Sequence, residues 1–424
     1  MKTRPEAALP AEGLAGGRKI GLTGIPAGGM DLGMASRLGL SGLYLFAGFA
    51  GLGVAPALFG LGLLVMAAVL HPRAWREPLP RGALILPLLT LYWALSALWG
   101  MALLPGEAQW HAFKDLLWLL AFVPIAWWLR GDEERLQWTG VLALAGFLLG
   151  MATHFDKGIL QGARTGFQFG AVPFGLYCGT ALLGLLLFPP KRGWVWPIWM
   201  VALAILTEGL LLSQARSAWL ASALVFPVAL AFRYSLRSSK RARLAVVLGA
   251  AVAGGAAFAH WPLLKARLAL PASTQALVEG HVEDDNSLAI SHRLWLWRLG
   301  IERWQEHPFL GWGIGASASL LALSPLRFQG QEPFAHFHNT YLALLVEQGL
   351  WGFALDLALV GMVVGGFVGS LRQGVPRPLG IFLLGALAMW LIWNFFDTRL
   401  THADGRFYWL LLMGAMYSFT FRKT

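Results

Sequence analysis

Apolar runs of membrane-spanning length recur along most of this chain, and they constrain its fold more than any motif does. About 20 consecutive apolar residues are what a helix needs to cross the hydrocarbon of a bilayer. The approximate cores are Leu38 to Gly53, Ala57 to Leu70, Ala83 to Trp99, Leu116 to Leu129, Leu136 to Met151 and Phe167 to Phe188. Then come Trp194 to Leu212, Ala218 to Phe232, Leu244 to Ala259, Gly349 to Val368, Leu379 to Phe395 and Phe407 to Phe419. The composition agrees: 57% of the 424 residues are hydrophobic and 21 are tryptophan, more apolar material than a soluble domain can cover. The expected fold is an all-α polytopic membrane protein with about 12 transmembrane helices.

Charge sets the orientation. Placing the amino terminus in the cytoplasm assigns 21 of the 33 lysines and arginines to the inner side, in stretches such as "HPRAWREP", "RYSLRSSKRARL" and the terminal "FRKT". Cytoplasmic loops collect such residues, so both termini are expected inside. Six of the remaining basic residues fall between His260 and Asn339, which reads as one large extracytoplasmic loop with amphipathic helices. The organisation is then a disordered cytoplasmic tail over 1–37, transmembrane helices 1–9 over 38–259, the loop over 260–339, and helices 10–12 over 340–424. The net charge of +11 lies in short loops rather than one stripe, which argues against a nucleic-acid partner. The single cysteine, Cys178, sits in an apolar run, so the chain has no disulfide framework and no cysteine metal site. No inverted or parallel internal repeat is evident, which counts against a transporter built from matched halves.

Basic residues on the outer side are not required by topology, so each asks for a reason. Arg216 lies in "LLSQARSAWLAS", a connection of a few residues between two apolar helices. It is either a substrate ligand or a snorkelling arginine that meets a lipid phosphate or pairs with Glu208. Arg164, in "LQGARTGFQFGAVPFG", is followed by glycines that would let a ligand approach the backbone; an ordinary loop charge is the alternative. Arg293 lies in "SHRLWLWRLGIERWQEHPFLGWG", where Leu294, Trp297, Ile301 and Trp304 recur at helical spacing. With Ser291 as the N-cap, Arg293 would fall in the first turn, against the helix dipole, unless an anion docks there.

His338 opens "HNTYLALLVEQGLWG", a helix start with Asn339 or Thr340 near the N-cap position. Beside a helix N-terminus and near arginines, its protonated form is disfavoured, and a neutral imidazole can accept a proton. The plain alternative is a histidine that caps or braces the loop. His336, two residues away, is a second candidate. The acidic "HVEDDNS", from His281 to Ser287, offers oxygen ligands for a hard cation but reads more simply as a solvated loop. Glu347 and Asp356 are expected to pair with basic or backbone groups, "GWGIGAS" from Gly311 to make a tight turn, and "THADGRF" around Asp404 to be a polar turn before the last helix.

Taken in order, "ARTGFQFGAVPFG", "LLSQARSAWLA", "HRLWLWRLGIERWQEHPFLGWGIGAS" and "HFHNTYLALLVEQGLWG" resemble the O-antigen ligase and polymerase superfamily over roughly Arg164 to Gly352. The pair "HPFLGWGIG" and "HNTYLALLVEQGLWG" is the most specific part. The resemblance is greatest to the O-antigen ligases. It implies a GT-C-type glycosyltransferase of the bacterial inner membrane, acting on the periplasmic side without a cofactor. The donor would be a glycan on undecaprenyl diphosphate and the acceptor lipid A-core. Relatives that lengthen the glycan on its carrier, or transfer it to proteins, share the motifs.

The family's essential histidine falls on His338 and its arginines on Arg216 and Arg293, with Arg164 in a further outer-side motif; the common "SRSAWL"-like form stands here as "QARSAWL". His336, Asn339 and Glu347 are candidates for supporting roles. A diphosphate leaves without protonation, so one base suffices, and arginine forks can hold its oxygens. The expectation is an inverting, metal-independent displacement with no metal ligands. A transporter for an anionic lipid is the competing class.

Overall fold

The computed structural model describes residues 34–71, 82–104, 106–153, 170–234, 240–268, 285–324 and 334–422. Every regular element among them is helical. In chain order they are α1 (Met34–Ala50), α2 (Val54–Leu70), α3 (Ile85–Leu103), α4 (Ala108–Leu119), α5 (Phe122–Leu129), α6 (Glu133–Ala152), α7 (Ala171–Leu187) and α8 (Trp196–Leu212). They continue as α9 (Arg216–Arg233), α10 (Lys240–Ala259), α11 (Trp261–Leu268), α12 (Asp285–Glu306), α13 (Ala316–Leu323), α14 (Thr340–Leu371), α15 (Arg377–Asn394) and α16 (Ala403–Ser418).

Within the described residues the apolar cores fall largely on helices, with Phe167 to Phe169 outside those residues, but length and hydropathy qualify fewer of them as spans. Among the described residues, six segments are long and apolar enough to cross a membrane: Ile85–Leu103, Ala108–Leu129, Glu133–Ala152, Gly193–Leu212, Thr340–Leu371 and Arg377–Asn394. The pair Arg243–Ala259 and Trp261–Leu268, bent by 79°, makes a seventh if counted as one span. Large apolar side chains along these helices face outward, among them Leu91, Leu98, Val201 and Phe258, as a lipid-facing surface requires.

Several boundaries differ from the sequence reading. The run Leu116 to Leu129 is broken at Leu120 and Ala121 into α4 and α5. The helix expected from Gly349 starts at Thr340, and Gly349, with φ +62°, is a kink within α14. The expected tail ends earlier, since α1 takes in residues 34–37; residues 1–33 lie outside the described residues. Within 260–339 the described residues hold α11, α12 and α13.

The helix ends sort into two groups. At one end, Arg233 of α9 reaches the Leu187 carbonyl at the end of α7, and Arg377 at the start of α15 donates to the Phe232 carbonyl. The opposite end therefore gathers the start of α7, the α8–α9 turn, the start of α14 and the α15–α16 connection. There Thr340 donates through its hydroxyl to Asn394 Oδ1 at 2.7 Å, and its backbone N–H donates to the Asp397 carbonyl.

The "GWGIG" segment is a tight turn, as its glycines suggested, with Gly311, Gly313 and Gly315 all at positive φ. It wedges between α3 and α14. A Cβ at Gly313 would stand 2.2 Å from Gly100 Cα, so no other residue fits there. Trp312 donates its backbone N–H to the Val346 carbonyl just above the α14 kink.

Candidate active site

Two chain segments far apart in sequence meet at the second end of the bundle. The first, Phe334 to Asn339, leads into α14. Phe337 is fully buried with Leu296, Leu299 and Leu342, and Asn339 caps α14 by accepting from Leu342 N–H at 3.1 Å. Asn339 also donates its own N–H to Thr398 Oγ1. Between these two anchors His338 takes a left-handed backbone, φ +51°, which costs a non-glycine residue free energy.

The second segment joins α15 to α16 and carries Asp397, Arg399, His402 and Asp404. Asp397 is 3% exposed and its carboxylate is surrounded. His338 Nδ1 lies 3.4 Å from Oδ1 and His336 Nε2 lies 3.6 Å from the same oxygen. Arg399 Nε donates to Oδ2 at 3.0 Å, and the guanidinium also reaches Asp404 at 3.8 Å. The two histidine rings are 4.2 Å apart, and the His402 ring is 6.0 Å from that of His336. Neither His338 Nδ1 nor His336 Nε2 makes an aligned hydrogen bond among the described residues, so both nitrogens face the carboxylate within ion-pair reach without being committed to it.

The electrostatics follow from this packing. Burial alone would raise the Asp397 carboxyl; the two histidines and Arg399 outweigh it and hold the group well below the ordinary carboxylate range. His338 is lowered from 6.5, first by burial, then by the charges of His336 and Arg293, with Asp397 pulling the other way. The expectation of a neutral His338 therefore agrees with its surroundings, although burial is the main cause rather than the helix end. His402 is lowered too, by burial and then by Arg399.

Arg293 belongs to this site, by a different route from the expected one. Helix α12 begins at Asp285, so Ser291 is not its N-cap and Arg293 lies well past the first turn; the argument for an anion held at that helix start falls. Instead Arg293 Nε donates to the Phe396 carbonyl, at 3.4 Å, one residue before Asp397. The buried ridge of α12 is also rotated from the expected one: Leu296 and Leu299 are buried with Trp297 and Trp304 beside them, whereas Ile301 is exposed.

The other candidates divide. Arg216 opens α9 at this same end; Ser213 of its turn packs on α7 at Gly175, and Gly170 at the start of α7 lies beside Arg399. Glu208, the partner the sequence offered for Arg216, meets His260 Nε2 through Oε1 at 2.7 Å. Glu347 lies away from the histidines and accepts from the backbone of Gly315 and Ser317 and from the Ser317 hydroxyl, so it caps α13 and pins the glycine turn. Asp356 accepts from Gln348 Nε2. Glu347 thus pairs with backbone groups, as expected, whereas Asp356 pairs with a side-chain amide rather than with a basic or backbone group. Arg164 lies outside the described residues, as do His281, Glu283 and Asp284 of the acidic loop.

The sequence reading missed Asp397, Arg399 and His402 and took the stretch around Asp404 for a plain turn. A local signal existed: "FFDTRLTHADGR" places two acids, two arginines and a histidine directly after an apolar helix. The expectation of no metal ligands also meets a contrary finding, because the donor atoms of His336, His338 and Asp397 all lie within 4.8 Å of one another.

Comparison with known proteins gives two findings. Residues 201–357 match a family model described as O-Antigen ligase. Over 188 residues the chain is 29% identical to the exopolysaccharide production protein ExoQ of Rhizobium meliloti (strain 1021), covering 42% of this chain and 40% of that protein. The chain thus matches less than half the length of this relative.

Proposed function

From the match of residues 201–357 to the O-antigen ligase family model and the similarity to ExoQ, we propose that this chain is a member of the O-antigen ligase/polymerase superfamily, a periplasmic-side glycosyltransferase of the bacterial inner membrane that moves O-antigen glycan from undecaprenyl diphosphate to lipid A-core. The observation that carries the reading is the placement of His338 Nδ1 against a buried, ionised Asp397 at 3.4 Å. A carboxylate on one ring nitrogen keeps the proton on that nitrogen and leaves the other free to accept one.

In the proposed step, His338 Nε2 takes the proton of an acceptor sugar hydroxyl while that oxygen bonds to the anomeric carbon of the donor. The bond from that carbon to the diphosphate oxygen breaks, and the electron pair leaves with undecaprenyl diphosphate. The imidazolium that forms is stabilised by Asp397. Arg216 and Arg293 hold the diphosphate, and Arg164 is assigned to substrate binding from its sequence motif alone. A single displacement inverts the anomeric centre and asks for no metal. Arg399, paired with Asp397 and Asp404, keeps the Asp397 carboxylate ionised and in place.

The test is a transfer assay with purified protein, an undecaprenyl-diphosphate-linked glycan and lipid A-core, with chelator present, read by product mobility. Wild type should yield the ligated product and His338→Ala should lose about 10²- to 10⁴-fold in rate, the usual contribution of one proton-transfer group. Undiminished transfer by His338→Ala refutes the base assignment. The ExoQ relative, whose name states exopolysaccharide production, supports a second reading in which the acceptor is another carrier-linked glycan. Lengthening of the glycan on its carrier, without transfer to lipid A-core, would establish that reading.

A further inference from the structure

We propose that His336 Nε2, His338 Nδ1 and Asp397 Oδ1 form a site for a divalent transition-metal ion, zinc above all, and that its occupation switches the base off. The three donor types are the ones such ions take, neutral imidazole and carboxylate. With zinc-to-ligand distances of about 2.1 Å, a tetrahedral site sets its donor atoms about 3.4 Å apart. The carboxylate oxygen lies 3.4 Å from His338 Nδ1 and 3.6 Å from His336 Nε2. All three donors fit within 4.8 Å, so a small rotation of the two histidine rings, tilted 58° to each other, closes the third edge.

Two further observations point to an ion. Both nitrogens are shut off from solvent without an aligned hydrogen bond, so they carry unused lone pairs or protons in a buried place. Asp397 divides its oxygens, with Arg399 on Oδ2 and the Thr398 N–H and both histidines on Oδ1, so Oδ1 is the oxygen that an ion between the rings would share. Arg399 and Arg293 are cations near the site, and they oppose a dication. They hold the affinity to the order of micromolar rather than the far tighter grip of a structural zinc. Such a site fills from a pool and empties again.

The consequence for the reaction follows from the tautomer. Metal on His338 Nδ1 displaces the proton there, and the neutral ring then carries its proton on Nε2. That nitrogen is the one proposed to accept from the acceptor hydroxyl, so a metal-loaded His338 cannot act. This switching half rests on the proposed base role, whereas the binding half stands without it.

The experiment uses the full chain, purified without a histidine tag and treated with chelator, in equilibrium dialysis against zinc chloride with no glycan present. One zinc per chain is expected, with a loss on the order of 100-fold in affinity in both His336→Ala and Asp397→Asn. Cobalt in place of zinc should give the visible bands of a tetrahedral site in the wild type, a readout independent of how the variants fold. No saturable binding up to about 1 mM, or binding unchanged in both variants, overturns the site. Zinc bound at the site with undiminished transfer keeps the site and overturns both the switch and the base assignment of His338.

Discussion

Replacing Asp397 by Asn removes one charge and, with it, the acceptor that Arg399 Nε uses at Oδ2. The new side chain keeps an oxygen for the Thr398 N–H that Oδ1 now accepts, and the backbone carbonyl that receives Thr340 is untouched. What is lost is the attraction between the carboxylate and the imidazolium of the transition state, at 3.4 Å. With an effective dielectric of about 20 that attraction is about 5 kcal/mol for a full charge, and about 2.4 kcal/mol if the proton is half transferred. At about 1.4 kcal/mol per decade, kcat should fall between roughly 50-fold and 4000-fold, with KM for the donor little changed. The pH profile adds a signature that a folding defect would not give. His338 must be neutral to work and its pKa is lowered from 6.5, so wild-type turnover is level at neutral pH and falls as pH drops through that lowered value. Asp397 is an influence that raises it, so in Asp397→Asn the acid limb should move to lower pH. The assay is reconstituted transfer across a pH series. A variant within about threefold of wild type with an unmoved acid limb would refute the dyad.

Three further perturbations probe the frame. Glu347→Ala strands the Gly315 and Ser317 backbone donors at about 1 to 3 kcal/mol each, and should lower the thermal midpoint in detergent clearly more than Glu347→Gln, which keeps one acceptor. Gly313→Ala drives a Cβ to 2.2 Å from Gly100 Cα at φ +92° and should prevent a stable fold, while Gly361→Ala, in open space within α14, should be neutral or stabilising by up to about 1 kcal/mol. For orientation, with Cys178 replaced, a cysteine at exposed Gln305 should react with an impermeant thiol reagent from the periplasmic side and one at exposed Gln373 only from the cytoplasmic side; the reverse pattern would invert the topology.

What could be read in the sequence was what local spacing carries. Apolar length gave the helices, the polar triplet before Tyr341 gave the Asn339 cap, and three glycines in five residues gave the turn at Gly311. The start of α12 was misplaced because Ser291 is a good cap residue in the wrong register, and in the structure it is fully buried within the helix. The α12 ridge failed for a related reason: helical spacing fits Leu294, Trp297, Ile301 and Trp304 as well as Leu296 and Leu299, and only the packing of Gly300 against Leu342 and Phe337 decides between them. The meeting of Asp397 with the two histidines was out of reach because they lie some 60 residues apart, and no periodicity links a helix start to a loop two spans later. His338 was singled out by its type and place, but the carboxylate beside it was not.

The left-handed backbone at His338 separates what the fold tolerates from what the chemistry needs. At φ +51° an alanine would carry a penalty of about 1 to 2 kcal/mol that glycine avoids, while glycine loses about 0.4 to 1 kcal/mol through its freer unfolded chain. The balance makes His338→Gly the more stable of the two by about 0.5 to 1 kcal/mol, although neither can transfer a proton. Denaturant or thermal unfolding of the pair in the same detergent reads that difference. If His338→Ala proves equal or better, the conformation is one the flanking anchors, Phe337 and Asn339, impose without strain. If glycine wins, the wild-type chain carries backbone strain at the one position where an imidazole must meet Asp397, and the burial of Phe337 and the Asn339 cap are the interactions that offset it.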